Sequence, residues 1–102
     1  MEGGWIKIHR KLLEWEWADD PNMVALWIHL LLNANFYECE WHGITIPKGA
    51  FKTTQAELCG KTGLSRSTLR TCMERLKATG EITTKTIHNC TIVIIRNYDK
   101  YQ

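Results

Sequence analysis

Hydrophobic positions fall in blocks whose spacing changes along the chain. Trp5 to Ile8 is a short extended approach with large apolar residues. Arg10 to Trp17 predicts a short helix with Leu12, Leu13 and Trp17 on its buried side. Asp19-Asp20-Pro21 marks a helix start, because an aspartate accepts from the free N–H groups of a first turn and proline is preset for the first helical position. Met23 to Asn33 then carries Val24, Trp27, Ile28, Leu30, Leu31 and Leu32. It is apolar nearly all round, which predicts a central, buried helix ending at Asn33 or Asn35. Phe36 to His42 has mixed charge and reads as an irregular connection. Gly43 to Ile46 alternates like a strand, Pro47-Lys48-Gly49 has turn chemistry, and Ala50 to Thr53 is a second extended piece. Together they suggest a hairpin, or a strand with a bent approach.

The pattern then becomes helical twice in quick succession. Thr54-Gln55-Ala56-Glu57 is a capping box, opening a short helix with Ala56, Leu58 and Cys59 as apolar contacts. Gly60 to Gly63 closes it. Ser65 is a second cap, after which Leu69, Cys72, Met73 and Leu76 recur at spacings of three and four as a core stripe. The opposite face carries Arg66, Ser67, Arg70, Thr71, Glu74 and Lys77, and Gly80 supplies a left-handed exit. Glu81 to Ile87 and Cys90 to Ile95 are rich in β-branched residues on either side of a His88-Asn89 turn. Tyr98 to Gln102 reads as a polar-aromatic tail.

A short helix, a glycine-containing turn and a longer capped helix make a helix-turn-helix, and the β-hairpin directly after it makes that a winged helix. The predicted class is α+β, one domain over 1–102. Residues 1–35 form an N-terminal helical extension and central helix; 43–96 hold the strand, the helix-turn-helix and the C-terminal β-hairpin wing. At 102 residues, 44% hydrophobic and 24% charged, the chain has globular usage and enough length for one core. Met23 to Leu32 is its longest apolar stretch, too short for the ~20 residues of a bilayer span. No export leader is recognised, so a cytoplasmic protein with no membrane partner is expected, with its four cysteines as reduced thiols, two of them facing the core.

Charge sharpens the picture. Residues 1–57 hold five Lys/Arg against eight Asp/Glu; residues 58–102 hold eight against three. From Lys61 to Lys85 six basic residues face two acidic ones. A basic half beside an acidic half points to an anionic partner on one face. In a helix-turn-helix the exposed N-terminal half of the second helix can enter the DNA major groove, where short polar or cationic side chains are needed. Ser65, Arg66, Ser67, Thr68, Arg70 and Thr71 meet that requirement. Arg66 and Arg70, four apart on one face, suit a guanine edge or a phosphate. Lys61 at the turn and Lys85 in the wing are expected on flanking phosphates. The competing structural reading is a plain tri-helical core, with Arg70 and Glu74 as a surface ion pair and the wing as a dimerisation edge.

Other constellations are weaker. Cys39, Glu40 and His42, even with His88 and Cys90, lack the paired spacing of a zinc site, so no metal or cofactor is expected. His9 and His29 sit among apolar residues and read as packed or capped. No phosphate loop, nucleophile elbow or paired-carboxylate pattern is present, so the chain does not read as an enzyme. Five tryptophans are many for this length; Trp15 and Trp17 exceed what a short helix can bury, and with Trp5 in the same apolar N-terminal segment they are candidates for a self-association patch.

A resemblance covers nearly the whole chain. Gly4 to Leu13, Asp20-Pro21-Asn22 with Leu26 to Asn35, Trp41 to Gly49, Thr79 to Thr83 and the closing Asn97 to Tyr101 resemble, in order, the N-terminal winged-helix domains of phage replisome organisers and DnaD-like replication initiation proteins. The resemblance implies a winged helix with an N-terminal helical extension, a role in loading replication machinery such as a helicase loader, and homo-oligomerisation through that extension. The leading expectation is duplex-DNA binding in replication initiation. A protein-interaction module of a primosome-type assembly and a transcriptional regulator are the alternatives.

Overall fold

The computed structural model describes residues 4–102. Residues 10–14 form a single 3-10 turn, closed at its start by the His9 ring, which accepts from the Lys11 amide at 3.0 Å. The α-helix predicted over Arg10 to Trp17 is thus shortened, because the chain leaves it at Trp15 with extended backbone. Leu12 packs on the core, but Leu13, expected inside, is 84% exposed. Helix α1 (Pro21–Asn33) starts where the aspartate-proline signal predicts: the Asp20 carboxylate accepts from the amides of Asn22 and Met23. It buries Met23, Leu26, Trp27, Leu30 and Leu31. It is not buried all round, since Val24 and Ile28 are half-covered and Leu32 is exposed.

The connection read as irregular contains a strand. Strand β1 (Cys39–Trp41) pairs antiparallel with β2 (Ile44–Ile46) around His42-Gly43. Both turn residues have positive φ, as a two-residue hairpin turn demands. The expected hairpin of 43–46 with 50–53 does not form. Strand β3 (Ala50–Thr53) instead joins β5 (Cys90–Ile95), which also pairs with β4 (Ile82–Ile87), giving a three-stranded sheet of order β3-β5-β4. Gly49 sits at the crossing with φ +84; its amide donates to Asn35 and its carbonyl accepts from Ile95.

Helices α2 (Gln55–Thr62) and α3 (Arg66–Ala78) follow β3. The capping box is complete, with Thr54 accepting from the Glu57 amide and Glu57 from the Thr54 amide. Gly60 lies inside α2, and Gly63, at φ +78, ends it. Pairing register divides the sheet into two faces, since directly opposed residues share a side. Phe51, Val93, Ile82 and Ile95 face the helices and meet Leu58, Leu69, Cys72 and Leu76 in the main core. Ala50, Ile92 and Ile94 face the other way, under Ile46 and Trp41 of the β1–β2 hairpin, in a second small cluster. The tail is a docked single turn, α4 (Tyr98–Tyr101): Tyr98 is buried and Tyr101 meets Trp27 edge-on at 5.3 Å. The Gln102 amide group both accepts from and donates to the backbone of Lys7, clipping the approach to the 3-10 turn onto the C-terminal turn.

Candidate nucleic-acid interface

Helix α3 is presented outward because its inner stripe is anchored. Leu69, Cys72 and Leu76 are buried, while Arg66, Ser67, Arg70, Thr71 and Glu74 are exposed. Met73, expected in the core stripe, is half-buried at its edge. Burial pushes the Cys72 thiol above its ordinary range, so it is an unreactive core residue.

The basic residues divide into engaged and open ones. Arg75 donates to Asp20 at 3.0 Å and lies over the Trp17 ring at 5.2 Å, locking α3 to the start of α1. Lys77 pairs with Glu74 at 3.3 Å, so the Arg70–Glu74 pair considered from sequence does not form. Lys61 donates to the Asn33 side chain at 2.9 Å while remaining exposed. Among the described residues Arg66 and Arg70 take part in no ion pair. The two guanidinium groups stand four residues apart on exposed positions of α3, without a carboxylate partner among the described residues.

The short polar residues have split duties. The Ser65 hydroxyl accepts from the Thr68 amide at 3.2 Å and donates to the Thr68 hydroxyl at 3.0 Å. Both are committed to capping α3. Ser67 and Thr71 line a shallow hollow toward Asp20 and Asn22, on the α1 side. Arg70 lines a groove on the opposite flank with Thr84, Thr86 and Thr91 of the wing.

Lys85 is placed differently from the other candidates. In register it stands opposite Ile92, as Lys52 does from the other side, so all three share the outer face of the sheet. Lys85 is exposed there, on the side away from α3, and the groove beside the helix is lined by threonines. The outer face also holds side chains that the sequence reading did not assign to DNA. Lys52 lies over the Trp41 ring at 5.2 Å, and the His42 and His88 rings stand 6.1 Å apart. The two hairpin tips therefore meet, which no local pattern in the sequence could signal.

The tryptophans proposed for association are unequal. Trp15 packs on Trp27 at 5.8 Å and donates to Glu81 at 3.1 Å; Trp17 is half-buried under Arg75. Trp5 is 76% exposed, near exposed Leu32, Phe36 and Tyr37 along one groove. Cys39, Cys59, Cys72 and Cys90 are free thiols. Among the described residues no three His, Cys, Asp or Glu side chains gather for a metal ion, and no helix is long and apolar enough to cross a membrane.

Residues 52–83 match a family model described as winged helix-turn-helix DNA-binding. The matched segment runs from β3 through α2 and α3 into the start of β4, and β4–β5 complete it with the wing. No curated protein and no solved structure matches the chain. The architecture is a winged helix-turn-helix, with α1 and the β1–β2 hairpin on the N-terminal side of the matched segment.

Proposed function

We propose that this domain binds duplex DNA through α3 in the service of phage-type replication initiation, as part of a replisome organiser. The observation that carries the DNA reading is the pair Arg66 and Arg70, open on the exposed face of α3 and held by no carboxylate among the described residues. The N-terminal half of α3 lies in the major groove, with Arg66 and Arg70 on base edges or phosphates, Ser67 and Thr71 as short polar neighbours, and Lys61 on a flanking phosphate. Ser65 and Thr68 set the helix start. The replication role rests on the residue resemblance over Gly4 to Tyr101.

Replacing both arginines, Arg66→Ala with Arg70→Ala, weakens duplex binding in fluorescence anisotropy. It flattens the salt dependence by about one unit of slope for each phosphate that is no longer neutralised. A double variant that binds as the parent does overturns the assignment of α3 as reader. Selection from random duplexes separates the roles: one operator-like sequence speaks for transcriptional regulation, whereas sequence-tolerant binding with capture of a helicase loader speaks for replication.

The exposed set Trp5, Leu32, Phe36 and Tyr37 favours a second reading, an assembly module that self-associates or docks a replication partner. Light scattering showing a monomer at every concentration removes self-association from that reading.

A further inference from the structure

The β1–β2 hairpin precedes the matched segment 52–83. It covers the outer sheet face with Ile46 and Trp41, and it brings its own tip against the wing tip. His42 and His88 each occupy the first turn position of their hairpin with positive φ, at 50° and 51°. Asparagine, aspartate or glycine is the usual choice at such a position. Two separate turns thus place an imidazole at the tip of each hairpin.

The side chains at this junction form one group. His42 stands edge-on to Trp41 at 4.5 Å and His88 at 6.0 Å, while the Lys52 ammonium lies over the same ring. His42, His88 and Lys52 are exposed, and Trp41 is half-buried. Among the described residues Lys52 takes part in no ion pair. The nearby acid, Glu40, lies on the other side of its strand and accepts from Thr45 at 2.8 Å. Lys85 adds a further cation to the same sheet face.

We infer that the paired hairpin tips form a second backbone-binding site, in which His42, His88 and Lys52 hold a DNA phosphate. The ligand is a phosphodiester rather than a base. The Trp41 ring is occupied by the Lys52 ammonium, by two imidazoles and by the apolar cluster beneath it, so its role is to fix the geometry of the donors. Two imidazole N–H groups and an ammonium are phosphate donors. The site rests on the duplex-binding reading of the domain, but uses a different surface from α3. It makes the β1–β2 hairpin a working addition to the wing.

Titrating the labelled protein with a short duplex, while following the backbone amides of α3, the Trp41 indole N–H and the His42 and His88 ring signals by NMR, tests the site directly. Shifts at both α3 and the paired tips support it. Shifts at α3 alone overturn it and leave the α3 reading intact. Shifts at the tips alone support it and overturn α3 as reader; shifts at neither overturn both. The variant His42→Asn with His88→Asn keeps residues that tolerate left-handed backbone, and is expected to weaken binding by roughly fivefold or more. Lys52→Gln, which leaves both turns untouched, is expected to lower the salt slope by about one unit. Parental affinity and slope in both variants overturn the site.

Discussion

Helices α1 and α3 are both thirteen residues long, and both are capped by an oxygen-bearing side chain, yet they spend their surfaces in opposite ways. Helix α1 buries five apolar residues and carries no Asp, Glu, Lys or Arg along its length. Helix α3 buries three and turns four basic residues and a glutamate outward. One is scaffold and the other is display. The two are joined at one point, where Asp20 caps α1 and also receives Arg75 of α3. The difference teaches that Arg66 and Arg70 can stay open because the hold of α3 on the fold lies elsewhere, in a narrow stripe and in the Arg75–Asp20 ion pair.

The largest effects should come from the scaffold. Leu30 is fully buried in α1, and Leu30→Ala should cost about 2–5 kcal/mol in denaturant unfolding, the range for a leucine truncated in a closed core. Gly49→Ala should be comparably severe. Its left-handed backbone disfavours any side chain, and an added Cβ would lie 2.6 Å from Tyr98 Cβ. An alanine at Gly49 that melts like the parent would mean that α4 is not docked as described.

The joint between the helices is next. Asp20→Ala removes both the cap and the Arg75 partner and should cost about 1–2 kcal/mol. Asp20→Asn keeps a capping oxygen and loses only the ion pair, so it should cost about 0.5 kcal/mol or less. If the two variants unfold alike, the cap contributes little and Arg75 is what ties α3 to α1.

Alkaline pH probes the core shared by both helices. Burial raises Cys72 above its ordinary value of 9.0, and raises Tyr98 and Tyr101 above 10.0. Each therefore holds its proton more tightly folded than unfolded. Their contribution is fully present below about pH 9 and is lost as pH rises through the folded values. Thermal melting should be flat in this respect up to that point and fall beyond it. Cys72→Ala should remove the earliest part of the fall, at the cost of a small cavity.

The same division explains what can be read from sequence. The helix-turn-helix is legible because each signal is local: the capping box at Thr54, the cap at Ser65, the three-and-four spacing through Leu76, the left-handed exit at Gly80. The wing is legible from two β-branched runs about a tight turn. Strand β1 is hidden, since Cys39-Glu40-Trp41 carries no strand pattern of its own and becomes a strand through pairing with Ile44 to Ile46. Leu13 misleads because a 3-10 turn rotates residues differently from the α-helix its spacing suggests. In the candidate site, Arg66 and Arg70 are visible as a helix face. The face on which Lys85 lies, and the meeting of His42 with His88, depend on sheet register and on hairpin packing between distant segments.

The smallest stability effect should belong to the display surface, and this is the sharpest form of the contrast. Arg66 and Arg70 are exposed and, among the described residues, belong to none of the ion pairs that stabilise the fold. Truncating either to alanine should leave the unfolding midpoint within about 0.5 kcal/mol of the parent, because alanine is at least as good a helix former and no partner is stranded. Removing two like charges from one face, four residues apart, should even relieve a small repulsion. A double variant that keeps its stability and loses DNA separates reading from folding in one helix. A double variant destabilised by more than about 1 kcal/mol would place those guanidinium groups within the scaffold, and α3 would then differ from α1 in composition alone.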